Sequence, residues 1–390
     1  MPTTTHPRAA ALLEMILEHI DIPRSYYEKA VARHKSFGEW LCRPESPLVS
    51  FNPHVSTQGS FRYGTVVRPV HEGAEYDLDN VTTLQLAKTA ITQRQLKELY
   101  GSEVIAYAKS HNMIEPVQEK HRCWRLVYAD EVNFHMDSLP CVPEDRRVIL
   151  ALVDRGVPME LAQRTVAITD RRHPLYEQIT ADLLSSNPRG FARWFETRVR
   201  AVAENRMREL VLAKKYASVD AVPAYEWKTP LQRVIQLLKR HRDVMFRHHP
   251  ADAPISMIIT NLAAHAYTGA TNLVVALQEV VAGMPRYVNP VWPRVPNPAD
   301  PREDYADKWS RDANLERHFW LWHTQVTADV ERLRSLFEGN GIERGVRELF
   351  DVNLTRDELK ILVPAASAAP VVISTAPPLY VTSAPRPWGR

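Results

Sequence analysis

The chain has 390 residues, with 49 Lys and Arg against 46 Asp and Glu for a formal charge of +3, and it is 45% hydrophobic and 24% charged. Those values match the globular average and exclude a disordered chain, a collagen and a disulfide scaffold. A net charge this close to zero argues against a protein that coats DNA, and the length predicts two lobes rather than one core.

Three cysteines, Cys42, Cys123 and Cys141, are an odd number without CxxC spacing, so they read as reduced thiols and not as a zinc cage. Residues 1–7 are polar and lead directly into a helical pattern, without the charged-then-apolar order of a signal peptide. The most apolar stretch, 255–281, is interrupted by Asn261, His265, Asn272, Gln278 and Glu279, which predicts a buried helical region rather than a membrane span. A cytoplasmic protein with no membrane partner is expected.

In chain order, residues 9–41 carry helical periodicity through Leu12, Leu13, Ile16 and Ile20, then Tyr26, Ala30 and Trp40 beyond Pro23. Residues 49–70 are rich in β-branched and aromatic residues, with Gly59 and Gly64 as breakers, and 76–86 reads as a strand. Thr92 with Gln95 is a capping-box signature opening a helix to about Ser110. Residues 123–128 and 132–139 predict two strands joined by a tight turn at Ala129-Asp130. From Glu144 onward the chain reads as almost all helix, including one from Pro188 to about Tyr216 and one from Leu231 to Phe246 capped by Thr229-Pro230-Leu231-Gln232. Gly283 and Gly339 stand where helix C-caps are expected, and 285–301 is a Pro-rich ordered loop or linker. The last 28 residues, 363–390, are Pro, Ala, Ser, Thr and Val with almost no charge, which predicts an extended or disordered tail. The expected domains are therefore an α/β lobe over 1–145, a helical lobe over 146–362 and a tail over 363–390.

One constellation carries chemistry. Gln58-Gly59-Ser60 ends a strand or turn, Asp77-Leu78-Asp79 follows within the next strand, and Phe134-His135-Met136-Asp137 lies in a second β-like segment. Strand alternation puts Asp77 and Asp79 on one face. Two like charges there repel and each raises the other's pKa, a conflict that a divalent cation resolves. Asp137 on a neighbouring strand completes a three-carboxylate set of hard oxygen ligands suited to Mg²⁺ or Mn²⁺. Two such ions clamp the attacking and leaving oxygens of an in-line phosphoryl displacement. Gly59 lets backbone N–H groups approach a phosphate, and the Ser60 hydroxyl adds a hydrogen bond. A lone Asp-x-Asp is common on solvated edge strands and a lone Gly-Ser is mostly a turn. Their order inside one lobe is far more specific than either part.

The strings Gln58-Gly-Ser-Phe-Arg-Tyr-Gly-Thr-Val-Val-Arg-Pro69, Glu75-Tyr-Asp-Leu-Asp79 and Phe134-His-Met-Asp-Ser-Leu-Pro140 resemble the bacterial cGAS/DncV-like nucleotidyltransferases (CD-NTases, the SMODS group) of the polymerase-β-like superfamily. In the second half, Thr229-Pro-Leu-Gln232, Leu238-Lys-Arg-His-Arg-Asp243, Pro254-Ile-Ser-Met-Ile-Ile-Thr260, and Asn297-Pro298 followed by Glu303-Asp-Tyr-Ala-Asp-Lys-Trp309, are similar to that family's helical-lobe patterns, and the likeness spans roughly residues 10 to 350. Asn261 departs from the second Thr common there, with little consequence expected for chemistry.

The resemblance implies an α+β fold: a polymerase-β-like nucleotidyltransferase lobe with a twisted mixed sheet of about five strands, a helical C-terminal lobe, and an active site in the cleft between them. It implies template-independent joining of NTPs into a cyclic di- or trinucleotide messenger, with two Mg²⁺ (or Mn²⁺) ions per site, in CBASS anti-phage defence. Asp77 and Asp79 would bind both ions, and Asp137 the ion that activates the 3′-hydroxyl. Gln58, Gly59 and Ser60 would meet the donor triphosphate, and Lys239 and Ser256 match positions that hold phosphates in relatives. Without the family, Lys239 within Lys239-Arg240-His241-Arg242 reads equally well as a solvated helix face.

Two other readings stand beside this one. A transferase that modifies an RNA or protein acceptor should carry a basic acceptor groove, and an inactive nucleotide-binding scaffold would have no need of three repelling carboxylates. His248-His249 and the pair His318 and His323 are poorly spaced for zinc, and His135 reads as a neutral, hydrogen-bonded residue. Phe319, Trp320 and Trp322 read as packing. Arg171-Arg172 and 239–242 could form a local basic patch, but no constitutive nucleic-acid partner is expected. The tail ending Pro387-Trp388-Gly389-Arg390 resembles those that some CBASS synthases offer to a regulatory or conjugating protein, although Arg390 departs from the small terminal residue such chemistry favours.

Overall fold

The structure is a computed structural model that describes residues 7–71, 73–129, 133–213, 228–336 and 341–362. The expectations for Asp130, for a strand starting at Val132, for a helix end near Tyr216, for Gly339 and for the tail over 363–390 lie outside the described residues. The described chain divides into two compact units. A sheet-bearing unit comprises Ile22–Thr197 with Pro296–Asp304, and a helical unit takes the remainder. The break after Thr197 falls inside a helix, so the first unit runs some fifty residues beyond the boundary expected at 145.

The first helix, α1 (Pro7–Ile20), belongs to the helical unit, contrary to its expected place in the N-terminal lobe. Its buried stripe, Leu12, Leu13, Ile16, Leu17 and Ile20, has the three-to-four-residue spacing of an amphipathic helix. Glu14 pairs with Arg233, and His19 Nε2 lies 2.9 Å from a Glu358 carboxylate oxygen.

The sheet-bearing unit begins with α2 (Arg24–Leu41), then β1 (His54–Gln58), a five-residue α3 (Gly59–Tyr63), β2 (Tyr76–Thr83) and α4 (Gln93–Ser110). Next come β3 (Gln118–Glu119), β4 (Trp124–Tyr128) and β5 (Phe134–Pro143). The short helices α5 (Arg146–Asp154) and α6 (Met159–Ala162) precede β6 (Val166–Ile168) and β7 (Leu184–Ser186), and α7 (Pro188–Ala213) follows. All seven strands form one mixed sheet, ordered β1-β2-β5-β4-β3, with β6 pairing β5 and β7 pairing β6. Only β2 and β5 run parallel.

The region after Glu144 is therefore not all helix. Strands β6 and β7 have three residues each, too short for a period-2 pattern to show in sequence. They exist because the far end of β5 offers unpaired backbone groups: Cys141, Val142 and Pro143 pair with Ile168, Ala167 and Val166. The Pro-rich segment also holds strand, as β8 (Pro296–Asn297) and β9 (Asp300–Asp304) form a small antiparallel pair within the sheet-bearing unit.

The two faces of the sheet differ in chemistry. Tyr76, Leu78, Asn80 and Thr82 of β2, with Phe134, Met136 and Ser138 of β5, are buried. Buried Tyr100 of α4 places its hydroxyl 2.8 Å from Thr82 Oγ1 and 2.5 Å from Ser138 Oγ, joining the two parallel strands under the helix. Asn80 is met by His34 of α2 at 2.8 Å. The opposite face is apolar only toward the ends of β2 and β5, where Val81 and Cys141 pack with Val166 and Ile168.

In the helical unit, α8 (Pro230–Met245), α9 (Ser256–Ala266), α10 (Leu273–Gly283), α11 (Ala313–Leu336), α12 (Ile342–Phe350) and α13 (Arg356–Leu362) surround buried Val234, Leu238, Leu262, Val280, Phe319 and Trp322. The Thr92/Gln95 and Thr229/Gln232 capping boxes form as their sequences predict. Gly283, however, has φ −86° and is not a left-handed cap. A Cβ there would stand 2.9 Å from Ala266 Cβ, so close packing of α10 on α9 requires the glycine. No described helix is long and apolar enough to cross a membrane.

Tyr100→Phe leaves the Thr82 and Ser138 hydroxyls without their shared partner in a buried layer. The expected cost is about 1–3 kcal/mol, read as a lower urea midpoint with an unchanged m-value.

Candidate active site

Strand register assembles the site. Gln58, Asp79 and Asp137 are Cα partners across β1, β2 and β5, so all three side chains leave the sheet on one face. Asp77 lies two residues before Asp79, opposite His135, and shares that face. At Gly59 the chain turns from β1 into α3 with φ +67°, a conformation L side chains rarely adopt. A Cβ at Gly59 would also collide with the Asp79 carboxylate, so a side chain is excluded twice. Ser60 follows in the first turn, and its carbonyl accepts from Thr65 N at 2.9 Å. Tyr63 anchors α3 from below: its hydroxyl bonds to the Gly59 backbone and its ring packs on Phe191 and Phe195 at centroid distances of 5.2 and 5.4 Å.

The electrostatics carry the mark of an unresolved conflict. Burial first, and then the charges of Asp77 and Asp137, push the Asp79 pKa up to about 7, against partial relief from His135 and Arg125. The two outer carboxylates are held by local cations. Arg125 of β4, opposite Asp137 in the ladder, binds it with both prongs, Nε to Oδ1 and Nη2 to Oδ2, each at 2.7 Å. His135 Nε2 pairs with Asp77, and its Nδ1 lies 2.7 Å from Glu75 Oε2. Burial would lower the His135 pKa, but bonding to Asp77 and its charge, with Glu75, outweigh it and raise the pKa. The expectation of a neutral His135 is therefore corrected: two carboxylates hold the ring toward its charged form.

Among the described residues no three His, Cys, Asp or Glu side chains stand in position to hold a metal ion. In this structure Arg125 binds both oxygens of Asp137, and His135 pairs with one oxygen of Asp77. The donors themselves are all carboxylate oxygens, and the raised Asp79 pKa is the charge deficit that a hard divalent cation removes. The donor set thus fits Mg²⁺ or Mn²⁺, with Arg125 as the group a cation must displace from Asp137. Sequence reasoning missed Arg125. Counting outward from the turn predicted at Ala129-Asp130 sets Arg125 opposite Phe134; the observed register instead pairs Tyr128 with Phe134, which brings Arg125 opposite Asp137.

Lys239 and Ser256 lie in the helical unit. Lys239 is buried, as are Arg240, His241 and Arg242, so the alternative of a solvated helix face or an open nucleic-acid patch fails at this run. Arg242 donates to the Pro254 carbonyl at 2.5 Å and to Ser256 Oγ at 3.3 Å. Arg171 and Arg172 pair with Glu119 and Asp170. His323 bonds the Val281 carbonyl at 2.8 Å, and His318 packs on Phe246. Phe319 and Trp322 are buried, as the packing reading expects. The three cysteines are free thiols.

Residues 53–141 match the family described as cyclic GMP-AMP synthase DncV-like, nucleotidyltransferase domain. A c-di-GMP synthase of Roseivirga ehrenbergii is 26% identical over 338 residues, covering 85% of this chain and 80% of the relative. The cyclic dinucleotide synthase CdnG of Bradyrhizobium diazoefficiens is 24% identical over 344 residues, covering 83% of this chain and 75% of the relative. The structure of the same organism's CD-NTase CdnG in complex with GTP superposes with a TM-score of 0.63 at 22% identity, covering 89% of this chain and 96% of that one. The mixed sheet and helical C-terminal part expected from the resemblance are borne out as this fold.

Folded Asp79 keeps its proton up to about pH 7, while the unfolded chain releases it near the ordinary value of 3.8. Between about pH 4 and 7 the folded state therefore binds more protons, and stability falls as pH rises. Without divalent ions, thermal melting of the wild type should drop across that window, and Asp79→Asn should flatten the drop. At pH 8, Mg²⁺ should raise the melting temperature of the wild type and not of Asp79→Asn.

Proposed function

We propose that this chain, whose residues 53–141 match the DncV-like nucleotidyltransferase domain family, joins two nucleoside triphosphates into a cyclic dinucleotide without a template. The observation that carries this reading is the placement of Asp77, Asp79 and Asp137 on one sheet face in strand register, beside a Gly-Ser turn that can approach only because Gly59 has no side chain. The names of the two curated relatives, both cyclic dinucleotide synthases, support a ring of two nucleotides.

In the proposed reaction Asp77, Asp79 and Asp137 would hold two Mg²⁺ or Mn²⁺ ions. Such ions supply charge neutralisation at the attacking and leaving oxygens of an in-line displacement. The bond formed joins a 3′- or 2′-hydroxyl oxygen to the α-phosphorus, and the bond broken is the α–β phosphoanhydride, so pyrophosphate leaves and the hydroxyl loses a proton. Asp137 assists removal of that proton after Arg125 has released it. The Ser60 hydroxyl and the Gln58 side chain hold the departing β- and γ-phosphates. Lys239 and Ser256 are assigned to the same triphosphate on the family resemblance alone. A second turnover of the same chemistry within the linear intermediate closes the ring. Production of a messenger for CBASS anti-phage defence belongs to this proposal.

Purified protein incubated with four labelled NTPs and Mg²⁺ or Mn²⁺, then treated with phosphatase, should yield a resistant cyclic product. Asp77→Asn/Asp79→Asn should abolish it, and Asp137→Asn should lower turnover by a factor of about 10² or more. Arg125→Gln should tighten Mg²⁺ in the same assay by removing the competing cation from Asp137. A phosphatase-sensitive linear product, or label attached to added RNA or protein, would replace the cyclase reading by an acceptor-directed one.

A further inference from the structure

The sheet-bearing unit carries a second charged site that the proposed chemistry does not use. Strand β1 pairs only with β2 and forms one edge of the sheet. A cavity of about 380 Å³ lies at that edge, lined by His54 and Ser56 of β1, His34 of α2, Arg62 of α3, Arg164, and Arg189, Arg193 and Glu196 of α7. None of Asp77, Asp79, Asp137, Gln58 or Ser60 lines it.

Its charge balance is one-sided. Arg189, Arg193 and Glu196 recur at four- and three-residue spacing, so one face of α7 faces the cavity. Glu196 is the one carboxylate against four guanidiniums in the lining. It bonds Arg62 and lies 3.6 Å from Arg193. Arg164 Nε donates to the Glu160 carbonyl at 3.0 Å, and among the described residues Arg164 has no ion pair. Arg189 makes no hydrogen bond or ion pair with a described residue. Burial, then the charge of Arg164, push its pKa down, and Arg62 adds to this. His54 is lowered by burial and then by Arg189. Among the described residues that line the cavity, positive charge thus exceeds negative by three. Arg164, Arg189 and Arg193 are half-buried and Arg62 is exposed, and like charges gathered in such a partly screened cavity repel until a counter-ion joins them. The volume falls within the range of small-ligand sites, roughly 300–1,000 Å³.

We propose that this edge cavity binds a small polyanion, carrying several phosphates or several carboxylates, through the guanidiniums of Arg189, Arg193 and Arg164. Planar forked donors of this kind match both anion types bidentately. Arg62 reaches the cavity from the same short helix that presents Ser60, so the occupant also touches the element that turns into the carboxylate site.

The test reads binding and not turnover, so its failure is separable from failure of the cyclase reading. The full chain in EDTA is titrated calorimetrically with tripolyphosphate and, separately, with citrate, at ionic strength matched with NaCl. At least one probe should bind the wild type and Asp79→Asn equally, and the probe that binds identifies the anion class. Arg189→Gln/Arg193→Gln should weaken binding at least about tenfold, with the exposed Arg171→Gln as the unaffected control. If the double variant does not fold, single Arg164→Gln should weaken the same titration. The proposal is overturned if neither probe binds or if binding survives all the cavity variants.

Discussion

Electrostatic repulsion among Asp77, Asp79 and Asp137 is the constraint on which the sheet-bearing unit turns. Parallel pairing of β2 with β5 sets Asp79 beside Asp137, and strand alternation adds Asp77 to the same face. Such an arrangement destabilises the unit unless cations stand against it, and burial sharpens the cost at Asp79. Nearby residues respond to that charge. Arg125 grips Asp137, His135 bridges Asp77 and Glu75, and both ease the potential at Asp79.

Stability for this arrangement comes from the other face. There Leu78, Met136 and Phe134 are buried, and Tyr100 ties Thr82 to Ser138. The sheet is thus apolar and satisfied on one side and charged on the other at the same residues. The apolar patch of Val81, Cys141, Val166 and Ile168 closes the charged face at one end only, leaving the carboxylates at the other. Carboxylates kept together at a stability cost, over a core that can carry it, are the pattern expected of a site retained for chemistry rather than for folding.

The chain handles its cations by context. Arg125 binds Asp137 and His135 bridges Asp77 and Glu75, whereas Lys239, Arg240, His241 and Arg242 on α8 are buried, with Arg242 donating to the Pro254 carbonyl. A run of basic residues in sequence therefore says little about an exposed patch. What decides is which face of the helix packs inward, and in α8 nearly every position after Val234 does.

Much of this was legible in the sequence because it rests on local rules. Both capping boxes announce their helices through a Thr and a Gln three residues apart, and alternation alone puts Asp77 and Asp79 on one face. The Gly59-Ser60 turn and the three aspartates carry enough order to name a family. Strands β6 and β7 could not be read, because three residues hold no period and their existence depends on open backbone groups at the end of β5. The unit boundary could not be read either, since α1 and residues 146–197 are sorted by which surface each buries and not by chain order. The sequence by itself determined which side chains are candidates for holding a metal and a triphosphate. Only the tertiary structure decided that Arg125 and His135 stand guard over two of those carboxylates, because that pairing depends on register across a turn and on burial, which no single segment contains.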